Sequence, residues 1–129
     1  MADKIAFELV SPDRLLISED VDMIVVPGTE GDFGVLLGHQ PMISTVRPGI
    51  LEVQNSGGED RRIFVNGGFA EITSDRCAVM TEEAVPVEDL KRGDLEKRIE
   101  DAEEDAQEAR SDLERHLLDL KLTTFREML

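Results

Sequence analysis

The hydrophobic pattern of this chain changes period near residue 85, and this change limits the possible folds more than any other feature. Before it, apolar residues recur at every second position in short runs, as at Ile5, Phe7 and Leu9. After Pro86 the apolar spacing becomes helical, and Gly93 is the single remaining glycine. A period of two indicates strands, whereas spacings of three and four indicate helices. The sequence therefore predicts an α+β chain, with a β domain at residues 1–86 and a helical domain at residues 87–129.

Residues that favour turns separate the apolar runs of the first domain. Asn66-Gly67 predicts a turn or bulge with positive φ, and residues 55–60 predict a loose hairpin tip. Short strands at such spacing indicate a β-sandwich or a β-barrel. The predicted strand segments include the face formed by Val21, Met23 and Val25, and residues 50–54, 63–65, 69–73 and 77–80.

The second domain carries a continuous seam of apolar and small side chains. Ser111 and Glu114 form the pattern of a capping box, in which the Ser111 hydroxyl caps the start of a helix. This predicts two antiparallel helices, roughly at residues 88–109 and 112–127. The unbroken seam is equally compatible with one long helix, so the sequence leaves both arrangements open. The seam positions are Leu95, Ile99, Ala102, Ala106, Ala109, Leu113, Leu117 and Leu120.

The charge balance excludes several classes of function. The 129 residues carry a formal net charge of −15 at pH 7, which argues against binding to nucleic acid or to an anionic membrane surface. The single cysteine, Cys77, allows no intramolecular disulfide and fits a reducing compartment. The N-terminus has no signal-peptide pattern, and no apolar run approaches the roughly 20 residues that span a bilayer. We expect a soluble intracellular protein without membrane insertion.

The glycine-rich stretch GTEGDFGVLLGHQP, residues 28–41, contains the candidates for chemistry. Its Asp-Phe-Gly at residues 32–34 matches the magnesium motif of kinases, but the other kinase motifs are missing. Its glycines do not fit the phosphate-binding pattern GxxxxGK[ST]. Such glycines more often shape turns.

Metal binding and catalysis lack the residues they need. The two histidines and one cysteine cannot supply an ordinary zinc site. An oxygen-rich set of Glu30, Asp32 and His39 is the remaining metal alternative, although such sets arise by chance in polar loops. No nucleophile motif is present. We therefore expect no catalytic residues and no metal site.

Asp89 and Arg92 lie one helical turn apart at the start of the second domain. The simpler interpretation is an acidic residue that stabilises a helix N-terminus, with an arginine that forms a surface ion pair. The alternative is a nucleotide contact, in which the arginine binds phosphate and the aspartate binds an amino or hydroxyl group. The spacing alone favours the simpler interpretation.

Three segments together resemble a known family. Residues 26–51, VPGTEGDFGVLLGHQPMISTVRPGIL, contain the pattern PGxEGxxGxLxGHxP followed by Arg-Pro-Gly. VNGGFAEI at residues 65–72 and CAVMTEEAV at residues 77–85 follow. With these motifs the chain resembles the epsilon subunit of bacterial F-type ATP synthases, which is equivalent to the mitochondrial delta subunit. The resemblance covers almost the whole chain and implies a ten-stranded antiparallel β-sandwich followed by an antiparallel two-helix hairpin.

The resemblance also implies a function. The function implied by the resemblance is that of a non-catalytic rotor subunit of the central stalk, which links the gamma subunit to the c-ring and couples rotation to ATP synthesis. Such a subunit is peripheral, at the cytoplasmic face of the bacterial inner membrane, and its helices can reach the alpha and beta subunits and regulate ATP hydrolysis. The family's interface residues correspond here to Glu30, Asp32, His39, Ser44, Asn66 and Gly68.

Some members of this family bind ATP between the folded helices. Of their binding motif this chain keeps Asp89 and Arg92, whereas Gly93 replaces the usual alanine. Arg115 and Arg126 in the second predicted helix are further candidates for phosphate contacts. Weak ATP binding is therefore the most that we expect, with no other cofactor. A nucleotide-sensing protein whose hairpin binds ATP is the alternative function.

Overall fold

A computed structural model describes residues 4–56, 58 and 60–129, and the predicted α+β class is confirmed. A 3-10 helix, Val87–Asp89, connects the strands to helices α1 (Arg92–Gln107) and α2 (Asp112–Met128). The strands within the described residues are β1 (Ile5–Val10), β2 (Leu15–Val21), β3 (Met23–Gly28), β4 (Gly31–Val35), β5 (Met42–Gln54), β6 (Arg61–Ile72), β7 (Arg76–Met80) and β8 (Ala84–Pro86).

The strands form one continuous sheet in the order β2-β1-β7-β6-β5-β3-β4, with β8 also paired to β6. Neighbouring strands in the described part of the chain are antiparallel except β1 and β7, which are parallel. The sheet is therefore mixed, where the sequence predicted antiparallel pairing throughout. In the parallel pair Phe7 lies opposite Cys77 and Leu9 opposite Val79. Parallel strands need a long connection, and here most of the sandwich lies between the two.

Strands β5 and β6 each change the face that they bury about halfway along. The core positions of β5 change from even to odd numbers between Val46 and Leu51, and those of β6 change from odd to even between Val65 and Ala70. Because successive side chains point to opposite faces of a strand, each strand turns over at this point. We call this point the corner. If both strands are divided there, the eight strands of the described residues become the ten that the resemblance implied.

Two glycines make the corner possible in β6. Gly67 and Gly68 have φ values of +75° and +124°, which glycine adopts far more readily than other residues. A Cβ atom on Gly68 would lie 1.9 Å from the carbonyl oxygen of Met80, so β7 packs directly against the backbone of β6. The positive φ predicted at Asn66-Gly67 is found at Gly67, but within a strand. The predicted hairpin tip at residues 55–60 connects β5 to β6, and its positions 57 and 59 lie outside the described residues.

The sandwich core is built almost entirely from aliphatic side chains, as its composition requires. The predicted strand face of Val21, Met23 and Val25 is wrong after Val21, because Met23 and Val25 are half-buried whereas Ile24 and Val26 belong to the core. The single residue between β2 and β3 shifts the alternation by one position. The buried core consists of Ile5, Phe7, Leu9, Val21, Ile24, Val26, Val35, Val46, Leu51, Val53, Ile63, Val65, Ala70, Ile72, Cys77 and Val79.

The two helices pack on the sandwich through a second apolar cluster. Its buried members are Phe64, Leu90, Leu95 and Phe125. The rings of Phe64 and Phe125 have centroids 4.8 Å apart and an interplanar angle of 43°. Leu95 lies near the start of α1 and Phe125 near the end of α2, so the helices run antiparallel and the predicted hairpin is confirmed. Ile50, Val85, Ile99 and Met128 pack around this cluster.

The second helix begins where the sequence predicted, whereas the first helix begins later than predicted. Ser111 caps α2 as predicted, because its Oγ accepts a hydrogen bond from the Glu114 backbone N–H at 3.1 Å. The first helix begins at Arg92, later than the predicted residue 88, because residues 87–89 form the 3-10 helix. The Asp94 carboxylate accepts from the Lys91 backbone N–H at 3.3 Å and marks that start.

Candidate functional site

Four of the six predicted interface residues line one groove at an end of the sandwich. Glu30, Asp32, His39 and Ser44 contribute to its walls, and its volume is about 530 Å³. The turn between β3 and β4 forms one side of the groove, and the loop between β4 and β5 forms the other. Glu30 and Asp32 are exposed, whereas His39 and Ser44 are half-buried. The sequence therefore predicted a set of residues that the fold brings together.

The Asp32 carboxylate forms an ion pair with Arg47, a residue that sequence analysis did not identify. Arg47 Nη2 donates to Asp32 Oδ1 at 2.6 Å, and Arg47 Nη1 donates to the carbonyl oxygen of Gly28 at 2.8 Å. The guanidinium thus connects the β3–β4 turn to the corner of β5. A partner that contacts Asp32 meets a carboxylate whose charge is already balanced and whose position is fixed.

The loop that carries His39 is held by backbone hydrogen bonds, one of them to the turn between β6 and β7. Gly38, at a φ of +89°, donates its N–H to the carbonyl oxygen of Ser74 at 2.6 Å. His39 Nδ1 lies 2.7 Å from the carbonyl oxygen of Gln40, and the backbone oxygen requires that Nδ1 is the donor. A neutral imidazole in this tautomer keeps Nε2 as a hydrogen-bond acceptor for a partner.

Exposed apolar side chains border the groove, and sequence analysis missed them. Ile43 is 74% exposed and Phe69 is 46% exposed, and they lie diagonally opposite on the outer face of β5 and β6. Leu36, Leu37 and Met42 are exposed in the loop and strand that precede Ile43. We call the neighbouring pair Ile43 and Phe69 the apolar patch. Clustered exposed apolar side chains mark surfaces that bind partners. The available signal was Leu36-Leu37, since two successive leucines in a glycine-rich loop cannot both be buried easily.

The other two predicted interface residues, Asn66 and Gly68, line a second site. This cleft has a volume of about 810 Å³ and separates the corner from the turn of the helical hairpin. Thr45 lines both the cleft and the groove, so the two sites adjoin. Leu117 lines the cleft, and Leu113 at the start of α2 is 68% exposed. The predicted seam therefore does not continue as a packed interface into the first turns of α2.

An ion pair connects the sandwich to α1 beside the cleft. Arg98 Nη1 and Nη2 donate to Glu83 Oε1 and Oε2 at 3.0 and 3.1 Å, and the Arg98 guanidinium lies 6.0 Å from the ring centroid of Phe125. The hydrogen bonds from Arg98 lower the pKa of the Glu83 carboxyl and outweigh the opposing effect of its burial. No local pattern in the sequence indicates this pair, because its members are 15 positions apart in different elements.

The residues predicted for ATP binding lie at separate positions along the hairpin and in the 3-10 helix before it: Asp89, Arg92, Arg115 and Arg126. Arg92 pairs with Glu96 at 3.2 Å, and Arg126 pairs with Glu103 at 2.9 Å. Arg115 lies one turn into α2, beside the hairpin turn, whereas Arg92 starts α1 at the opposite end. The 16 residues of α1 correspond to a length of about 24 Å. The four residues therefore do not form one compact set.

The single cysteine is buried and unreactive. Burial raises the pKa of the Cys77 thiol to about 12, so this thiol is neutral in the folded protein. Among residues 4–56, 58 and 60–129, no group of three or more histidine, cysteine, aspartate or glutamate side chains is arranged to hold a metal ion. No helix in the same part of the chain is long and apolar enough to cross a membrane.

Comparison with known sequences gives a consistent set of relatives. The model of the β-sandwich domain of the ATP synthase delta/epsilon chain matches residues 4–87. The ATP synthase epsilon chain of Rhodospirillum centenum is 55% identical over 129 aligned positions, which cover 96% of this chain and 88% of the relative. That of Parvibaculum lavamentivorans is 48% identical, and the alignment covers 99% and 97% of the two chains.

Solved structures agree with these relatives. A chain of the Euglena gracilis mitochondrial ATP synthase, in a structure of OSCP, F1 and the c-ring, superposes with a TM-score of 0.76 and 32% identity. The match covers 96% of this chain and 78% of that one. A chain from the central stalk and c-ring of the Tetrahymena thermophila mitochondrial enzyme has a TM-score of 0.68, 10% identity, and coverage of 96% and 95%, which shows a shared fold.

Proposed function

The chain belongs to the ATP synthase delta/epsilon family, and we propose that it is a non-catalytic rotor subunit in the central stalk of an F-type ATP synthase. In this role it links the gamma subunit to the c-ring, so that rotation is coupled to proton transport and ATP synthesis. The protein is peripheral at the cytoplasmic face of the bacterial inner membrane. Its similarity to bacterial epsilon chains over nearly the whole chain supports this assignment.

The observation that carries the proposal is the apolar patch beside the polar groove. A subunit that turns with its partner needs a contact that persists through every rotation, and exposed apolar side chains such as Ile43 and Phe69 provide one. The adjoining groove presents Glu30, the Asp32–Arg47 pair and His39. Polar groups of this kind set orientation and register more than affinity. We assign the apolar patch to gamma and the groove to the polar loops of the c-ring.

Asn66 and Gly68 belong to the gamma side in this proposal, and Ser44 lies between the two contacts. Ser44 lines the groove and is adjacent in sequence to Thr45, which lines both sites. Gly68 contributes through the close approach of β6 to β7 at Met80, which positions Phe69 on the outer face. Its role is therefore to shape the surface.

The helical hairpin adds a regulatory function in this proposal. Residues 1–86 form the rotor-binding domain, and residues 87–129 form a second unit that contacts the alpha and beta subunits and limits ATP hydrolysis. Only part of the hairpin packs firmly against the sandwich, because its turn is separated from the corner by the cleft. A unit attached in this way is suited to changing its position.

Nucleotide sensing is the alternative function. It requires Asp89, Arg92, Arg115 and Arg126 to act on one ligand. Arg115 lies at the other end of the hairpin from Arg92, and both Arg92 and Arg126 already pair with glutamates of α1. This arrangement favours the rotor function, with ATP binding at most a weak addition.

Membranes from a strain that lacks the protein test the rotor function. We expect uncoupled ATP hydrolysis in these membranes, and we expect the added full-length chain to restore ATP-driven proton pumping. A chain with Ile43→Asp and Phe69→Ser should fail to restore it. Leu15→Asp is the matched control, because Leu15 is 55% exposed on the edge strand β2, outside the patch. Normal proton pumping without the protein would contradict the proposal.

A further inference from the structure

The hairpin is attached to the sandwich unevenly along its length. At one end Phe125 packs on Phe64, and the Thr124 hydroxyl donates to the carbonyl oxygen of Pro48 at 3.3 Å. At the other end the cleft separates the hairpin turn from the corner, and Leu113 remains 68% exposed. The same seam residues could pack in another arrangement, because the sequence pattern is also compatible with one long helix. The docked position is therefore maintained by the apolar cluster around Phe125 and by the polar contacts beside it, and not by the turn of the hairpin.

Arg98 connects three different parts of the fold. Its guanidinium binds both oxygens of Glu83, in the connection between β7 and β8, and lies over the ring of Phe125 in α2. Arg98 itself belongs to α1, so one side chain connects the sandwich to both helices. A bidentate bond between two charged groups is stronger and more directional than a bond between neutral groups.

Glu83 is positioned by the corner. Its backbone carbonyl oxygen accepts a hydrogen bond from the Thr81 hydroxyl at 3.0 Å and another from the Asn66 backbone N–H at 3.0 Å. Thr81 is 3% exposed and Asn66 borders the glycines of the corner. The carboxylate that binds Arg98 is thus anchored to the part of β6 that adjoins the candidate partner-binding surface.

We propose that Glu83 and Arg98 form a latch that sets the fraction of molecules whose hairpin is docked on the sandwich. The side chains of Arg98 and Glu83 are 31% and 40% exposed, so the pair is strong enough to bias the docked state and accessible enough to respond to salt. A modest bias of this kind can be shifted by a partner that binds only one of the two states. The regulatory meaning of the latch rests on the proposed function, but its effect on docking does not.

The rate of thiol labelling in the full-length chain tests the latch. Ile50 is half-buried beneath the hairpin on β5, so the thiol introduced by Ile50→Cys reports exposure of that surface. The native Cys77 is fully buried in the sandwich core and reports unfolding of the sandwich in the same sample. In the Ile50→Cys chain we expect Glu83→Gln to raise the labelling rate at position 50 by about five- to tenfold, with a much smaller rise at Cys77, whose labelling requires the sandwich to unfold.

Two controls identify the pair as the cause. Glu96→Gln removes an exposed ion pair with Arg92 that stays within α1, and we expect no change in labelling. Glu83→Gln combined with Arg98→Gln should label no faster than the faster single variant, because both changes break the same interaction. Added salt should speed labelling in the Ile50→Cys chain and have little effect once Glu83 is replaced.

An unchanged rate at position 50 in the Glu83→Gln chain overturns the latch, as does a rate that rises in parallel with that of Cys77. ATP hydrolysis by the assembled enzyme is measured separately. If Glu83→Gln speeds labelling but leaves hydrolysis unchanged, the latch stands and the regulatory part of the proposed function is wrong.

Discussion

Arg47 donates hydrogen bonds to Asp32 Oδ1 at 2.6 Å and to the carbonyl oxygen of Gly28 at 2.8 Å. One side chain near the corner thereby fixes the turn between β3 and β4. The acidic residue that the sequence indicated as a partner contact thus depends on a basic residue from another strand. The groove should be sensitive to the arginine as much as to the aspartate.

Replacing Arg47 with methionine should loosen the groove. The change removes a charge-assisted bond while keeping most of the apolar stem, so we expect the free energy of unfolding to fall by about 1 kcal/mol and Tm to fall by about 2–5 °C. Thermal melting followed by circular dichroism measures this, since the chain has no tryptophan and no tyrosine. Arg62→Met removes the exposed pair with Glu52 and should change Tm less. Equal losses in both variants would contradict a specific role for Arg47.

Gly68→Ala should destabilise the sandwich severely. The added Cβ would lie 1.9 Å from the carbonyl oxygen of Met80, and the φ of +124° is strained for any other residue. We expect a loss of several kcal/mol, on the order of 3 or more, because strand backbone has to move. Urea unfolding measures the loss.

Gly93→Ala is the control for Gly68→Ala, and its expected effect has the opposite sign. Gly93 lies in the first turn of α1, and a Cβ there meets nothing within 4 Å. Alanine should stabilise the chain by up to about 1 kcal/mol, since it favours helix more than glycine does. A Gly68→Ala chain as stable as the Gly93→Ala chain would show that the corner is not needed.

Ile43→Asp should weaken binding to gamma without unfolding the chain. Ile43 is 74% exposed, so its replacement costs little internal packing, whereas a carboxylate in the centre of an apolar contact must be desolvated. We expect the dissociation constant to rise by roughly tenfold or more. Binding to purified gamma is measured by surface plasmon resonance, and Leu15→Asp on β2 should leave the constant unchanged. If both variants bind equally well, the apolar patch is not the gamma contact.

The parts of this structure that sequence could predict depend on neighbours along the chain. The change of period near residue 85 indicated the two architectures, Ser111 indicated the start of α2, and Gly67 indicated a backbone with positive φ. Each signal rests on residues within a few positions of one another. The glycine-rich stretch also contained three of the predicted groove residues, Glu30, Asp32 and His39, because the β3–β4 turn and the loop after β4 are short.

The missed features depend on tertiary packing. Arg47 and Asp32 are 15 positions apart, and so are Arg98 and Glu83, and nothing local distinguishes these arginines from others in a chain that is one-third charged. The corner reverses the inward face of β5 and β6, so simple alternation cannot tell that Ile43 points outward. Leu113 follows the helical seam in sequence but has no partner surface in the docked hairpin, because the cleft lies beside it.

The latch should weaken in acid, with a sign that follows from Glu83. Arg98 holds the pKa of the Glu83 carboxyl below its ordinary value of 4.5, so the pair stabilises the docked state above that value. This contribution is lost as the pH falls through the lowered pKa, because protonation then removes the negative charge. The difference in unfolding free energy between the natural chain and Glu83→Gln should therefore be present at pH 7 and disappear in strong acid. Urea titrations at both pH values measure it.

Glu82→Gln is the matched control for this prediction. Glu82 is the exposed neighbour of Glu83, so its replacement removes the same charge from a chain of net charge −15. Any effect of general charge repulsion should appear equally in both variants, whereas the effect of the latch should appear only in Glu83→Gln. A loss of stability at pH 7 that is the same for both variants, or one that persists unchanged in acid, would show that the carboxylate of Glu83 does not act through Arg98.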